Sequence, residues 1–254
     1  MGPMGKGQGQ EVYQDRIYRR AVGLQEGLVS FEVRYQQSDL WILASRKVQD
    51  HAERLLLEAR MQVEGYAGCH AGFLASHSPL PMDPMAPSVV KDMLAAGQAA
   101  GVGPMAAVAG AIAQYVGEGL LEHCQDVVVE NGGDLYLCAS RALTAGIFAG
   151  GSPLSQKLGV RVAAGSMPVG IATSSASVGH SWSYGAADAA CVVADRAALA
   201  DAAATALCNR VRSTTDMEPA LADVLGLAGV RGAVVILGKG MAVQGDLELV
   251  VLES

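Results

Sequence analysis

The chain has 254 residues, room for one large domain or two small lobes sharing a core, and an ordinary apolar fraction of 51%. Its formal net charge is −7 with no block of Lys or Arg, which argues against nucleic acid or an anionic membrane as a partner. Five cysteines (Cys69, Cys124, Cys138, Cys191 and Cys208) are odd in number and make no Cys-x-x-Cys pair, which argues against a cysteine zinc site or a disulfide framework and for a reducing compartment.

Residues 1–10 are polar and Gly-rich with no apolar core, so they are expected to form a flexible leader and not a signal peptide. Residues 11–254 are read as a single domain with room for two sub-lobes, soluble and cytoplasmic. Leu28–Tyr35 alternates apolar and polar residues, and Leu40–Ala44 follows a polar turn, which predicts two paired strands. From Lys47 to Tyr66, Val48, Ala52, Leu55, Leu56, Ala59 and Val63 recur at a helical period. Gly65 to Pro87 is rich in Gly, Pro and Met and reads as a long loop holding Cys69. A helix is expected over Ser88–Gly97 and another from Pro104, where proline suits a first turn. The Ala/Gly-rich stretch Ala99–Ala113 is too short and too broken to span a membrane. Asp126–Cys138 is a hairpin signature, because Asn131-Gly132-Gly133 supplies the positive φ that a tight turn needs. Strands are expected at Gly159–Ala164, Val169–Thr173 and Ala189–Ala194, the last leading into a helix capped by Asp195. A short helix, Glu218–Leu225, precedes Gly232–Gly238 and Gly245–Leu252, read together as a closing hairpin. Clustered, hairpin-rich elements without βαβ alternation favour α+β, with mixed or antiparallel sheets packed against helices.

Three patches carry chemistry. Gly132-Gly133-Asp134 could bring backbone N–H groups to a phosphate and a carboxylate to a sugar or metal, or be only a turn. Thr173-Ser174-Ser175, with Ser177 and His180 beyond, gathers hydroxyls after a strand and could pair a phosphate with a general base; a capped turn would also explain it. Asp201 and Thr205 lie four residues apart in the Ala-rich run after Asp195, so they share one helix face and make a hard, oxygen-only half-site suited to Mg²⁺; a solvated face is the alternative. Gly101-Val-Gly103 follows helical sequence where a dinucleotide fingerprint would need a strand, and is rejected as one.

Taken together, Val129-Glu-Asn-Gly-Gly-Asp-Leu-Tyr136, Gly170-Ile-Ala-Thr-Ser-Ser175, Gly179-His-Ser-Trp-Ser-Tyr-Gly-Ala-Ala-Asp188 and Leu199-Ala-Asp-Ala-Ala-Ala-Thr-Ala-Leu207 resemble the ApbE-like superfamily. With Ala100–Ile112, they are most similar to its shorter, uncharacterised branch. The resemblance implies an ApbE-like α+β fold and, by analogy with the flavin transferases, cleavage of FAD with attachment of FMN to a Thr or Ser of an acceptor protein. Asp201 and Thr205 would then hold Mg²⁺. Gly132, Gly133 and Asp134 would border the flavin nucleotide, Thr173, Ser174 and Ser175 would line the cleft, and His180 would be the base. The chain departs from the transferases where their Lys-Gly-Tyr-Ala segment becomes Gly103-Pro-Met-Ala-Ala-Val-Ala-Gly110, and where His-x-x-Asp-Pro becomes Gly179-His-Ser-Trp-Ser-Tyr-Gly185. A non-catalytic flavin or nucleotide binder is a second reading. A third follows from the branch's tie to sulfur incorporation in homocysteine formation, with Cys69 carrying persulfide. The small Gly/Ala surfaces are compatible with a homodimer.

Overall fold

The computed structural model describes residues 27–176 and 185–252. Strands β1 (Val29–Tyr35) and β2 (Ser38–Ala44) form the first hairpin, and Gln36 takes the positive φ of 52° that lets the chain reverse in two residues. Helices α1 (Gln49–Cys69), α2 (Ser88–Ala100) and α3 (Val108–Leu120) follow, with a 3₁₀ turn over Pro104–Ala107 leading into α3. The chain continues through β3 (Val127–Asn131), β4 (Asp134–Cys138), β5 (Leu143–Gly146), β6 (Leu158–Val162), β7 (Val169–Ser174) and β8 (Ala189–Ala194). Helices α4 (Ala197–Arg210) and α5 (Met217–Leu225) and strands β9 (Val230–Leu237), β10 (Gly240–Gly245) and β11 (Glu248–Val251) complete it.

Eight strands form one sheet in the order β1-β2-β3-β4-β7-β8-β9-β10, with every pairing antiparallel. The excursion between β4 and β7 supplies β5 and β6, which join β11 in a three-stranded sheet. This is an α+β architecture in three layers. Leu40 and Ile42 of β2 pack with the helices, whereas Trp41 and Leu43 pack with the small sheet. Covering both faces explains why β2, β3 and β8 are buried along their whole length and read as apolar runs.

Two glycines set how closely the helical layer sits. A Cβ on Gly170 of β7 would lie 2.2 Å from Ala197 Cα, and one on Gly110 of α3 would lie 2.3 Å from the Ala197 carbonyl oxygen. Neither position admits a side chain, so α4 beds directly on β7 and on the start of α3.

Three expectations need correction, and one strand was not foreseen. Helix α1 runs on through Gly65 to Cys69, because Tyr66 still packs on the core and stacks on His70 at 3.7 Å; Cys69 is therefore the exposed last residue of a helix and not a loop residue. Asp195 does not cap α4. Arg196 holds the N-cap position without a side-chain bond, the Ala197 N–H donates to Gln114 Oε1 of α3 at 2.9 Å, and Asp195 pairs with Arg231 at 2.6 Å. The closing hairpin is β9–β10, and Gly245–Leu252 instead leaves the large sheet at Gly245 (φ 92°) so that β11 can pair with β6. Strand β5, only four residues long, lacked a pattern to announce it. Residues 1–10 and His180 lie outside the described residues. Among those described, no helix is long and apolar enough to cross a membrane.

Candidate functional site

The β3–β4 reversal is built by Gly132 (φ 67°) and Gly133 (φ 106°), and nothing lies within 4 Å of where either Cβ would be. The turn is braced from inside: the Gly133 N–H donates to Glu130 Oε1 at 2.7 Å, and Asn131 Nδ2 donates to the Ala109 carbonyl at 3.1 Å. The second bond ties the hairpin to the first turn of α3. That turn has orphan N–H groups, as every helix start does. Asp201 of α4 supplies the acceptor, its Oδ2 taking the Gly110 N–H at 2.9 Å and its carboxylate also taking a backbone bond from Ala109. The positive end of the α3 dipole favours a carboxylate at this place.

Asp134, the first residue of β4, is 8% exposed and faces Asp201 and Glu130 electrostatically. Burial pushes its carboxyl well above the usual range, and the charges of Asp201 and then Glu130 push it further, against one bond from the Thr173 backbone. Burial likewise raises Asp201, to about 7, opposed by the Gly110 and Ala109 bonds. Among the described residues no Lys or Arg holds either carboxylate down. Cys191 on β8 lies behind them, paired in register with Thr173 and hydrogen-bonded to its side chain. Its burial lifts the thiol to about 11, so it is not a nucleophile at neutral pH.

The structure thus brings together Gly132, Gly133, Asp134, Thr173 and Asp201 from three separate segments, the β3–β4 turn, β7 and α4. Ser174 ends β7 and Ser175 follows it, both half-buried. Thr205 sits half-buried one turn beyond Asp201 in α4. Three contributors escaped the sequence reading: Glu130, the Ala109–Gly110 backbone, and Cys191. For Glu130 the signal was present, a charge closing the apolar run Val127-Val-Val129 and destined for burial at 3% exposure. The other two depend on contacts between distant segments.

Carboxylate and hydroxyl oxygens, with Asp134 buried, Asp201 half-buried and no Lys or Arg among the described residues to offset either, form a donor set for a hard divalent cation and a poor one for a soft metal.

A profile of the AbpE bacteria family matches residues 21–235. The UPF0280 protein of Methanococcus aeolicus is 35% identical over 201 residues, covering 77% of this chain and 81% of the relative. That of Methanocaldococcus jannaschii is 37% identical over 201 residues, covering 77% and 82%. Among solved structures, the flavin transferase ApbE from Vibrio cholerae superposes with a TM-score of 0.53 at 13% identity, covering 86% of this chain and 97% of that one. The apo flavinyl transferase ApbE of Pseudomonas stutzeri gives a TM-score of 0.54 at 15% identity, covering 86% and 94%. At such identities the likeness establishes a shared fold.

Proposed function

The chain belongs to the AbpE bacteria family, within the UPF0280 branch of ApbE-like proteins, and we propose that its Asp134–Asp201 cleft binds FAD with Mg²⁺ and transfers FMN to a Thr or Ser of an acceptor protein. The observation that carries this reading is the facing pair of carboxylates, Asp134 buried and Asp201 half-buried, with no Lys or Arg among the described residues to offset them. Such a pair is costly unless a proton or a metal ion sits between the two groups. The shared fold with two flavin transferases supports the choice of ligand.

Asp201, Thr205 and Asp134 would hold the ion, whose chemistry is to neutralise the pyrophosphate and the charge left on the departing AMP. The chain's own groups do the positioning. Asp201 is held in one orientation by the Ala109 and Gly110 N–H groups, and Asp134 by the Thr173 backbone. Gly132 and Gly133 have no side chains to fend off a nucleotide, and their turn is kept rigid by Glu130. Ser174 and Ser175 offer hydroxyls along the same edge. In the transfer, an acceptor hydroxyl oxygen bonds to the phosphorus on the FMN side while the pyrophosphate P–O bond to AMP breaks. His180 is our choice for the base that takes the hydroxyl proton.

Purified protein incubated with FAD, with and without Mg²⁺, tests this by absorbance and mass spectrometry. AMP should be released only with Mg²⁺, and Asp201→Asn should reduce the rate by at least about a hundredfold. FAD that binds and stays intact would make the protein a carrier. Failure to bind FAD would sink the reading.

A further inference from the structure

We propose that His51, Glu122 and His123 form a second cation site, for a borderline divalent ion of the Zn²⁺ or Ni²⁺ type, at the far end of α3 from the carboxylate cleft. One donor atom from each residue lies within 4.8 Å of the others. His51 stands in the first turn of α1, and Glu122 and His123 follow the last turn of α3. From Gly110 to Leu120 the rise is about 15 Å, so the site is separate from the cleft.

The second observation concerns His51 itself. Its Nε2 is buried and has no hydrogen-bond partner, while Nδ1 lies in contact with the Arg54 guanidinium. A buried ring nitrogen without a partner is an unmet demand. The rings of His51 and His123 meet edge to face at 4.5 Å, which keeps both imidazoles in one small space. Donors around a tetrahedral ion with bonds of about 2.1 Å are separated by about 3.4 Å. The exposed Glu122 and His123 can close that difference by rotation, with the His51 ring as the fixed member.

Neighbouring charge selects the class of ion. Arg46 and Lys47 line the adjoining surface cavity of about 590 Å³ together with Asp50, and Arg54 is in contact with His51. A hard cation such as Mg²⁺, bound by charge alone, is opposed by those three cations. An ion that bonds to imidazole nitrogen overcomes them. Ligation through Nε2 requires the ring proton to sit on Nδ1, so Arg54 must swing away. Glu58, already 3.8 Å from Arg54 Nε, can receive it. The bound ion would clip the start of α1 to the end of α3, where Leu55 already packs on Gly119.

The full chain, stripped with EDTA, is titrated with ZnCl₂ by calorimetry and melted with and without the metal. One equivalent should bind with an affinity on the order of micromolar and raise Tm. His123→Ala and Glu122→Ala should each weaken binding by about tenfold or more. Cys69→Ser and Asp201→Asn should leave it unchanged, and Mg²⁺ should not compete. No binding by the unaltered chain, binding that survives His123→Ala, or binding lost with Cys69→Ser would each overturn the assignment.

Discussion

Burial holds the facing carboxyls of Asp134 and Asp201 above their unfolded values of about 4. Across the interval from about 4 to about 7, the folded chain therefore binds more protons than the unfolded one, and stability falls as pH rises through it. Metal-free protein should therefore be less thermally stable at about pH 7 than at about pH 4.5 on account of this pair. Mg²⁺ should raise Tm more at the upper end, where both carboxylates need a countercharge. In Asp134→Asn the pH slope should flatten and the Mg²⁺ gain should shrink. Melting curves in EDTA and in Mg²⁺ at the two pH values check this, and an unchanged slope in the variant would show that the pair is not the source. These residues were unevenly legible. The spacing of Asp201 and Thr205 in an Ala-rich helix, and the paired glycines before Asp134, are local patterns that a sequence displays. That Asp134 faces Asp201, or that Asp201 bonds to the start of α3, follows only from packing segments far apart in the chain.

The start of α4 shows how an element borrows its cap. Asp195 has the right residue type at nearly the right place, yet Arg231 takes its carboxylate and Gln114 of α3 reaches over to the Ala197 N–H. Gln114 is 1% exposed, and its amide nitrogen donates in turn to Glu118 Oε1 at 2.9 Å. Gln114→Ala strands a buried N–H and opens a cavity, so urea unfolding should show a loss of about 1–3 kcal/mol. Asp195→Ala, which removes only an exposed ion pair, should cost under about 1 kcal/mol. The reverse ranking would restore Asp195 as the cap. Local signals were reliable where an element satisfies itself, as in the β3–β4 hairpin with its two positive-φ glycines. They failed where a partner is remote. The alternation in Gly245–Leu252 correctly marked a strand but could not say that its partner is β6 across the molecule.

At the scale of the whole molecule, the cleft is assembled where the large sheet meets the helical layer, and the small sheet covers the opposite face. The two layers can therefore be perturbed separately. A methyl on Gly170 would lie 2.2 Å from Ala197 Cα, a backbone atom that cannot step aside, so Gly170→Ala must lift the start of α4 from β7 and move Asp201 relative to Asp134. The expected cost is about 1–3 kcal/mol. Val160, 1% exposed on β6, packs among the small-sheet residues, and Val160→Ala should cost a comparable amount, about 2 kcal/mol. The two variants should part company in function. Val160→Ala should keep the Mg²⁺-dependent rise in Tm, because nothing it touches belongs to the cleft. Gly170→Ala should lose that rise although every carboxylate is still present. If both variants kept it, the placement of α4 on the sheet would not be what holds the two carboxylates together. If both lost it, the cleft would depend on overall stability and not on this one close approach.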